Sequence, residues 1–139
     1  METALYYLAL SGVLTILLWV PYISGRLFLW GLPAFLTNYP NKNYPIEQPQ
    51  PTLWMERAQR AHLNMVETMP AFIAVVLAAA FMSQSNPEVA ATVGTWAKIF
   101  FFARLLHPIV FILGVPFLRT PTYLISWFAI LMIATTTLL

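Results

Sequence analysis

Charged and amide side chains recur at helical spacing in one apolar stretch of the chain. Intervals of three, four and three residues place them on a single stripe of an α-helix. They are Arg57, Arg60, Asn64 and Glu67. At 1.5 Å per residue, Glu67 would lie about 15 Å along the axis from Arg57. Because lipid strongly penalises a carboxylate or an amide, the stripe must face protein or a wet cavity, either as a binding site or as a structural polar seam.

A second polar group lies nearer the carboxyl end of the chain. Arg104 and His107 are three residues apart on one helical face. Arg119 follows, with Thr120 beside it and Tyr123 one helical turn further on. We expect these residues to lie at the membrane level of the first stripe. Since the arginines outnumber the one obvious acid, the two groups predict a pocket for a small anion with carboxylates. Taken alone, His107 would also suit a hydrogen-bonded packing residue.

The composition excludes several classes of protein. Of 139 residues, 60% are hydrophobic and 9% are charged, whereas about a quarter are charged in an ordinary soluble domain. The sequence therefore predicts a membrane protein with a single domain over residues 1–139. A net charge of +2 is too small for a nucleic-acid-binding surface. With no cysteine and two histidines, the chain is predicted to hold no disulfide and no metal.

Long stretches without charge mark the membrane spans. About 20 apolar residues are needed to cross roughly 30 Å of hydrocarbon as a helix. Four predicted helices meet this length, at about 4–30, 54–82, 89–114 and 120–139. The predicted fold is therefore an all-α integral membrane protein, a bundle of four transmembrane helices.

The connections between these helices differ in composition. Residues 37–52 contain four prolines and predict an exposed, extended loop. The 83–88 turn offers Ser85 or Asn86 as the N-cap of the third helix. Gly114 predicts the end of that helix, because glycine readily adopts the left-handed conformation found there.

Basic residues collect at one end of the predicted bundle. Four spans put both termini and the 83–88 turn on one face, and the 37–52 loop and the 115–121 turn on the other. The second face carries Arg26, Lys42, Arg57, Arg60 and Arg119. By the positive-inside bias, we predict a multi-pass protein whose site faces the cytoplasm and whose termini lie on the opposite face. In a bacterium this membrane would be the inner membrane. Lys98, in the third span, is expected to extend toward the opposite face.

The polar residues also follow a known family pattern. Residues 56–70 contain E-R-x-x-R-A-H-x-N-x-x-E-x-x-P, followed by R-x-x-H at 104–107 and R-T-x-x-Y at 119–123. This succession resembles the MAPEG family, the membrane-associated proteins of eicosanoid and glutathione metabolism. The resemblance extends from about Arg26 to Tyr123, in the order of the family and with its four-helix layout.

The resemblance implies a homotrimer whose glutathione sites lie between neighbouring subunits near the cytoplasmic side. Arg119 would stabilise the glutathione thiolate with help from the hydroxyl of Thr120, and these two are the predicted catalytic residues. Three residues of the stripe would hold the backbone and charged ends of the tripeptide: Arg60, Asn64 and Glu67. Together with Arg57 of the stripe, the further predicted binding residues are Arg26, Arg104, His107 and Tyr123.

Two residues depart from the eicosanoid-synthesising branch of the family. Leu63 stands where that branch has an arginine, and Phe111 stands where it usually has a tyrosine. Each change removes a polar group from the predicted site. Both changes make the chain resemble the bacterial-type branch more closely than the eicosanoid enzymes.

The leading functional hypothesis is a microsomal-type glutathione transferase or peroxidase. Its partners would be glutathione and a lipophilic small molecule that reaches the site through the bilayer. A nearby arginine favours the thiolate, which is the nucleophilic form of a thiol. The alternative is a non-catalytic MAPEG-like scaffold or accessory subunit of a larger complex. A small transporter is disfavoured, because the chain shows no internal repeat.

Overall fold

The computed structural model describes residues 1–36, 49–82 and 86–139, and within these ranges the chain is helical without strands. Its elements are α1 (Glu2–Leu17), α2 (Val20–Leu36), α3 (Leu53–Met82), α4 (Pro87–Leu113) and α5 (Arg119–Leu138). Helices α1 and α2 form one span of 35 residues, and α3, α4 and α5 form one span each. All four are long and apolar enough to cross a membrane. The prediction of an all-α protein with four spans is therefore confirmed.

The first span differs from the single helix predicted at about 4–30. It is interrupted between Leu17 and Val20 and continues to Leu36. Pro21 has no backbone N–H to donate to the carbonyl one turn earlier, so the ladder of helical hydrogen bonds weakens there. A second irregularity lies at Gly31, whose φ of 74° and ψ of 162° are not helical. The break and the extension are a correction to the predicted helix.

Two of the predicted helix ends are confirmed. The side chain of Asn86 accepts hydrogen bonds from the backbone N–H groups of Glu88 and Val89 at the start of α4. Gly114, with a φ of 70°, ends α4 in the left-handed conformation. The other candidate cap, Ser85, and most of the predicted 37–52 loop lie outside the described residues.

The core is centred on α4, which packs against α1, α3 and α5. Phe72 of α3 and Phe100 of α4 are fully buried, and their rings stack with centroids 3.7 Å apart. Small side chains lie at the contact with α1, where Gly94 faces Thr3 and Ala4. Small residues let membrane helices approach closely, and close packing is the main source of helix association in lipid.

Gly94→Leu is expected to destabilise the bundle by about 1–3 kcal/mol through overpacking. A Cβ at Gly94 would already lie 3.1 Å from the Cβ of Thr3. Gly12→Leu is the matched control, because a Cβ at Gly12 would meet nothing within 4 Å. Thermal unfolding of both variants in detergent measures the difference. Equal losses for the two variants would mean that the α1–α4 contact is not closely packed.

Candidate functional site

Two adjoining cavities lie where the start of α3, the end of α4 and the start of α5 meet. The Glu67 cavity has a volume of about 490 Å³ and is lined by Arg60, Leu63, Asn64, Glu67, His107, Phe111, Arg119, Thr120 and Tyr123. The Arg57 cavity measures about 440 Å³, and its walls include Leu53, Glu56, Arg57, Arg60, Val110, Phe111, residues 114–117, Arg119 and Thr120. Most of the predicted site residues therefore border one connected region.

Three basic residues border the Arg57 cavity, and a glycine allows one of them to reach it. A Cβ at Gly114 would lie 2.6 Å from the Cζ atom of Arg57. The guanidinium of Arg57 thus crosses directly over the end of α4, and a side chain at position 114 would require this guanidinium to move. Arg60 and Arg119 stand on the shared wall of the two cavities.

His107 connects α4 to the first turn of α5. Its Nδ1 atom lies 3.2 Å from the carbonyl oxygen of Arg119 and 3.2 Å from the hydroxyl of Thr122. Since a carbonyl oxygen only accepts, we assign the proton to Nδ1, and Nε2 is then an acceptor. That Nε2 atom is buried and has no hydrogen-bond partner within the described part of the chain. His107 therefore fixes the backbone of Arg119 and offers a lone pair on the other side of its ring.

Arg104 lies behind the wall of the Glu67 cavity and lines neither cavity. Its side chain is 1% exposed, and no guanidinium nitrogen makes a hydrogen bond of standard geometry among the described residues. The guanidinium carbon lies 4.8 Å from the ring centroid of Tyr123 and 5.8 Å from that of Phe100. Arg104 therefore contacts the ring of Tyr123, which lines the Glu67 cavity.

Arg26 lies apart from this arrangement, on the opposite side of α3, and lines neither cavity. Its guanidinium donates a hydrogen bond to the side-chain oxygen of Gln59 and lies over the rings of Tyr22 and Trp30. The hydroxyl of Tyr22 is in turn 3.2 Å from Nδ1 of His62. We call Tyr22, Arg26, Gln59 and His62 the Arg26 cluster. The sequence analysis did not predict this second polar face of α3. The three-residue spacing of Gln59 and His62 indicates it, because residues at that spacing share one face of a helix.

A model of the MAPEG family matches residues 3–139, essentially the whole chain. The chain belongs to the MAPEG family. Members of the MAPEG family generally use glutathione as a substrate or cofactor. No curated protein and no solved structure matches the chain.

Leu63 and Phe111 both line the Glu67 cavity. Leu63 is 47% exposed and presents an apolar surface to it. The ring of Phe111 lies 5.1 Å from the guanidinium carbon of Arg119 and 5.6 Å from the ring of His107. An aromatic face on α4 therefore supports the guanidinium of Arg119.

On the sequence prediction that Arg57 binds glutathione, Gly114→Ala is expected to weaken that binding about threefold, because a Cβ at this position forces the guanidinium of Arg57 to move. Gly31→Ala is the control for substitution at a glycine of positive φ, with a ψ of 162° where Gly114 has 29°. Gly31 also has a positive φ, but the nearest atom to its Cβ position is 3.9 Å away. Isothermal titration of glutathione into detergent-solubilised protein measures both affinities. If the two variants lose affinity equally, Arg57 does not contact the ligand.

Proposed function

We propose that the chain is a membrane glutathione transferase or peroxidase that acts on lipophilic electrophiles. The observation that carries this proposal is that two cationic residues, Arg60 and Arg119, and the anionic Glu67 line one cavity of about 490 Å³. Glutathione has two carboxylates, an ammonium group and a thiol, so it needs both cationic and anionic partners. The volume lies within the range of about 300–1,000 Å³ that is usual for small-molecule sites.

In this proposal, Arg119 activates the thiol by electrostatics alone. A free thiol has a pKa of about 8.5, and an adjacent guanidinium lowers it by favouring the thiolate. The hydroxyl of Thr120 would donate a further hydrogen bond to the sulfur. The thiolate itself attacks the electrophile, so no nucleophile from the protein is needed. Arg60, Asn64 and Glu67 would hold the tripeptide, and the bilayer would deliver the second substrate.

We further propose that neighbouring subunits complete the site in a homotrimer. Arg60, Glu67 and Arg119 are exposed on the single chain, within helices that span the membrane. Because charged groups are strongly disfavoured in contact with lipid, another protein surface should cover them. The Arg26 cluster lies on the other side of α3 and would approach the Glu67 cavity of the next subunit. The site would face the cytoplasm, with both termini on the opposite face.

The trimer proposal is tested by mixing subunits. Arg26→Ala and Arg119→Ala should each lower conjugation of glutathione to a chlorinated aromatic compound. Co-expression of the two variants should restore part of the activity, because some sites then combine an intact Arg119 with an intact Arg26 from the neighbour. Co-expression of either variant with the double variant is the control and should restore none. Monomers alone in native mass spectrometry, or no restoration, would contradict the proposal.

Leu63 and Phe111 favour a second candidate function, a non-catalytic scaffold or accessory subunit. Both apolar residues border the Glu67 cavity, where they reduce the polar contacts available to a tripeptide. A scaffold of this kind would retain the bundle and the cavity but would not ionise a thiol. The two candidates therefore differ in a property of Arg119 that can be measured directly.

Arg119→Ala is expected to raise the pKa of the bound glutathione thiol and to leave most of the binding affinity intact. Each unit of pKa corresponds to a roughly tenfold loss of thiolate when the pKa lies above the working pH. Ultraviolet difference spectra on adding glutathione measure the thiolate. Arg57→Ala is the matched control and should weaken binding without removing the thiolate band. If the wild type shows no thiolate at saturating glutathione, or Arg119→Ala keeps it, the scaffold is favoured.

A further inference from the structure

Lys98 is a charged residue within a membrane span that the proposed function does not use. It lies eleven residues after Pro87, the first residue of α4, and so about 16 Å along the helix axis. The side chain is exposed, and within the described part of the chain it has no hydrogen bond and no ion pair. Glu88, an acidic residue on the same helix, is about 15 Å away along the axis. The ammonium group therefore needs a partner from outside these residues.

Lys98 stands beside an apolar groove between α4 and α5. The groove has a volume of about 520 Å³, and its apolar wall includes Ile99, Phe102, Leu106 and Ile125. Two threonines also border it, but their hydroxyls already donate within their own helices, that of Thr95 to Ala91 and that of Thr122 to Leu118 and Arg119. Lys98 is thus the charged group among the described residues that line this groove.

We propose that the groove between α4 and α5 binds an anionic phospholipid, with its phosphate on Lys98 and an acyl chain along Phe102 and Leu106. This proposal does not rest on the proposed function, since the groove shares no lining residue with the Glu67 cavity or the Arg57 cavity.

The direction of the lysine side chain sets the orientation of the lipid. Side chains on a helix lean toward its N-terminus, so the ammonium group of Lys98 points toward the Pro87 end of α4 and shortens its distance to the headgroup region. A phosphate approaching from that end reaches the ammonium first. The acyl chain then runs past the middle of α4 toward its carboxyl end, over the eight residues from Lys98 to Leu106, which span about 12 Å.

Charge decides which lipid fits. A lysine without a partner inside a span favours an anion, and basic pockets between transmembrane helices commonly bind lipid headgroups. A zwitterionic phospholipid brings its own cation next to its phosphate, and this cation repels the ammonium of Lys98. Phosphatidylglycerol presents the phosphate without that cation. We therefore expect the groove to prefer phosphatidylglycerol over phosphatidylcholine.

Native mass spectrometry of the full chain in mixed micelles of phosphatidylglycerol and phosphatidylcholine tests the proposal. The wild type should retain phosphatidylglycerol in preference to phosphatidylcholine. Lys98→Gln should reduce that retention about fivefold, as expected for the loss of one basic residue near anionic lipid. Lys98→Arg should keep it, because the charge is kept. Equal retention of the two lipids by the wild type would overturn the proposal, and so would a fatty acid as the retained ligand.

A pair of aromatic variants tests the place of the acyl chain. Phe102 and Phe128 are each 50% exposed, and Phe102 lines the groove whereas Phe128 does not. Phe102→Ala should lower phosphatidylglycerol retention about threefold through the loss of buried apolar area, and Phe128→Ala should leave it unchanged. Equal effects of the two variants would place the lipid elsewhere on the surface. Circular dichroism of each variant checks that the helices remain formed.

Discussion

The guanidinium of Arg104 brings a positive charge into the interior of the bundle, where it makes no standard hydrogen bond among the described residues. Its guanidinium lies instead against the ring faces of Phe100 and Tyr123. Because Tyr123 belongs to α5, this buried charge links α4 to α5. Tyr123 also lines the Glu67 cavity, so the contact behind the wall helps to fix one side of that cavity.

Arg119 is held by α4 at two separate points. Its backbone carbonyl accepts a hydrogen bond from His107, and its guanidinium rests against the ring of Phe111, four residues later on the same helix. A long, flexible side chain at a helix start would otherwise sample many rotamers. Support at both the backbone and the tip reduces the entropy that must be lost when an anion binds. Arg119 is therefore pre-organised by a helix other than its own.

The spans and most of the polar residues that line the two cavities could be predicted from the sequence, because charge within apolar stretches leaves few physical alternatives. A stripe such as Arg60, Asn64 and Glu67 must share one face of a helix and must avoid lipid. The interruption near Leu18 was not predicted. Pro21 removes a helical hydrogen bond to the carbonyl one turn earlier, so the interruption does not lie at the proline itself. The burial of Arg104 behind the cavity and the distance of Arg26 from it depend on how the helices pack against one another. Spacing within a single helix carries no information on that packing.

The interruption between α1 and α2 divides the first span into two parts with different neighbours. Helix α1 packs mainly on α4 and also on α3, whereas α2, apart from its junction with α1, packs on α3 beside the Arg26 cluster. A substitution that shifts the packing of α1 should therefore have little effect on the packing of α2, and the reverse should also hold. A change in the tilt of α2 against α3 can therefore be taken up at the interruption, without displacing α1 from α4. The interruption thus acts as a mechanical joint between the part of the span that packs on α4 and the part that carries Arg26.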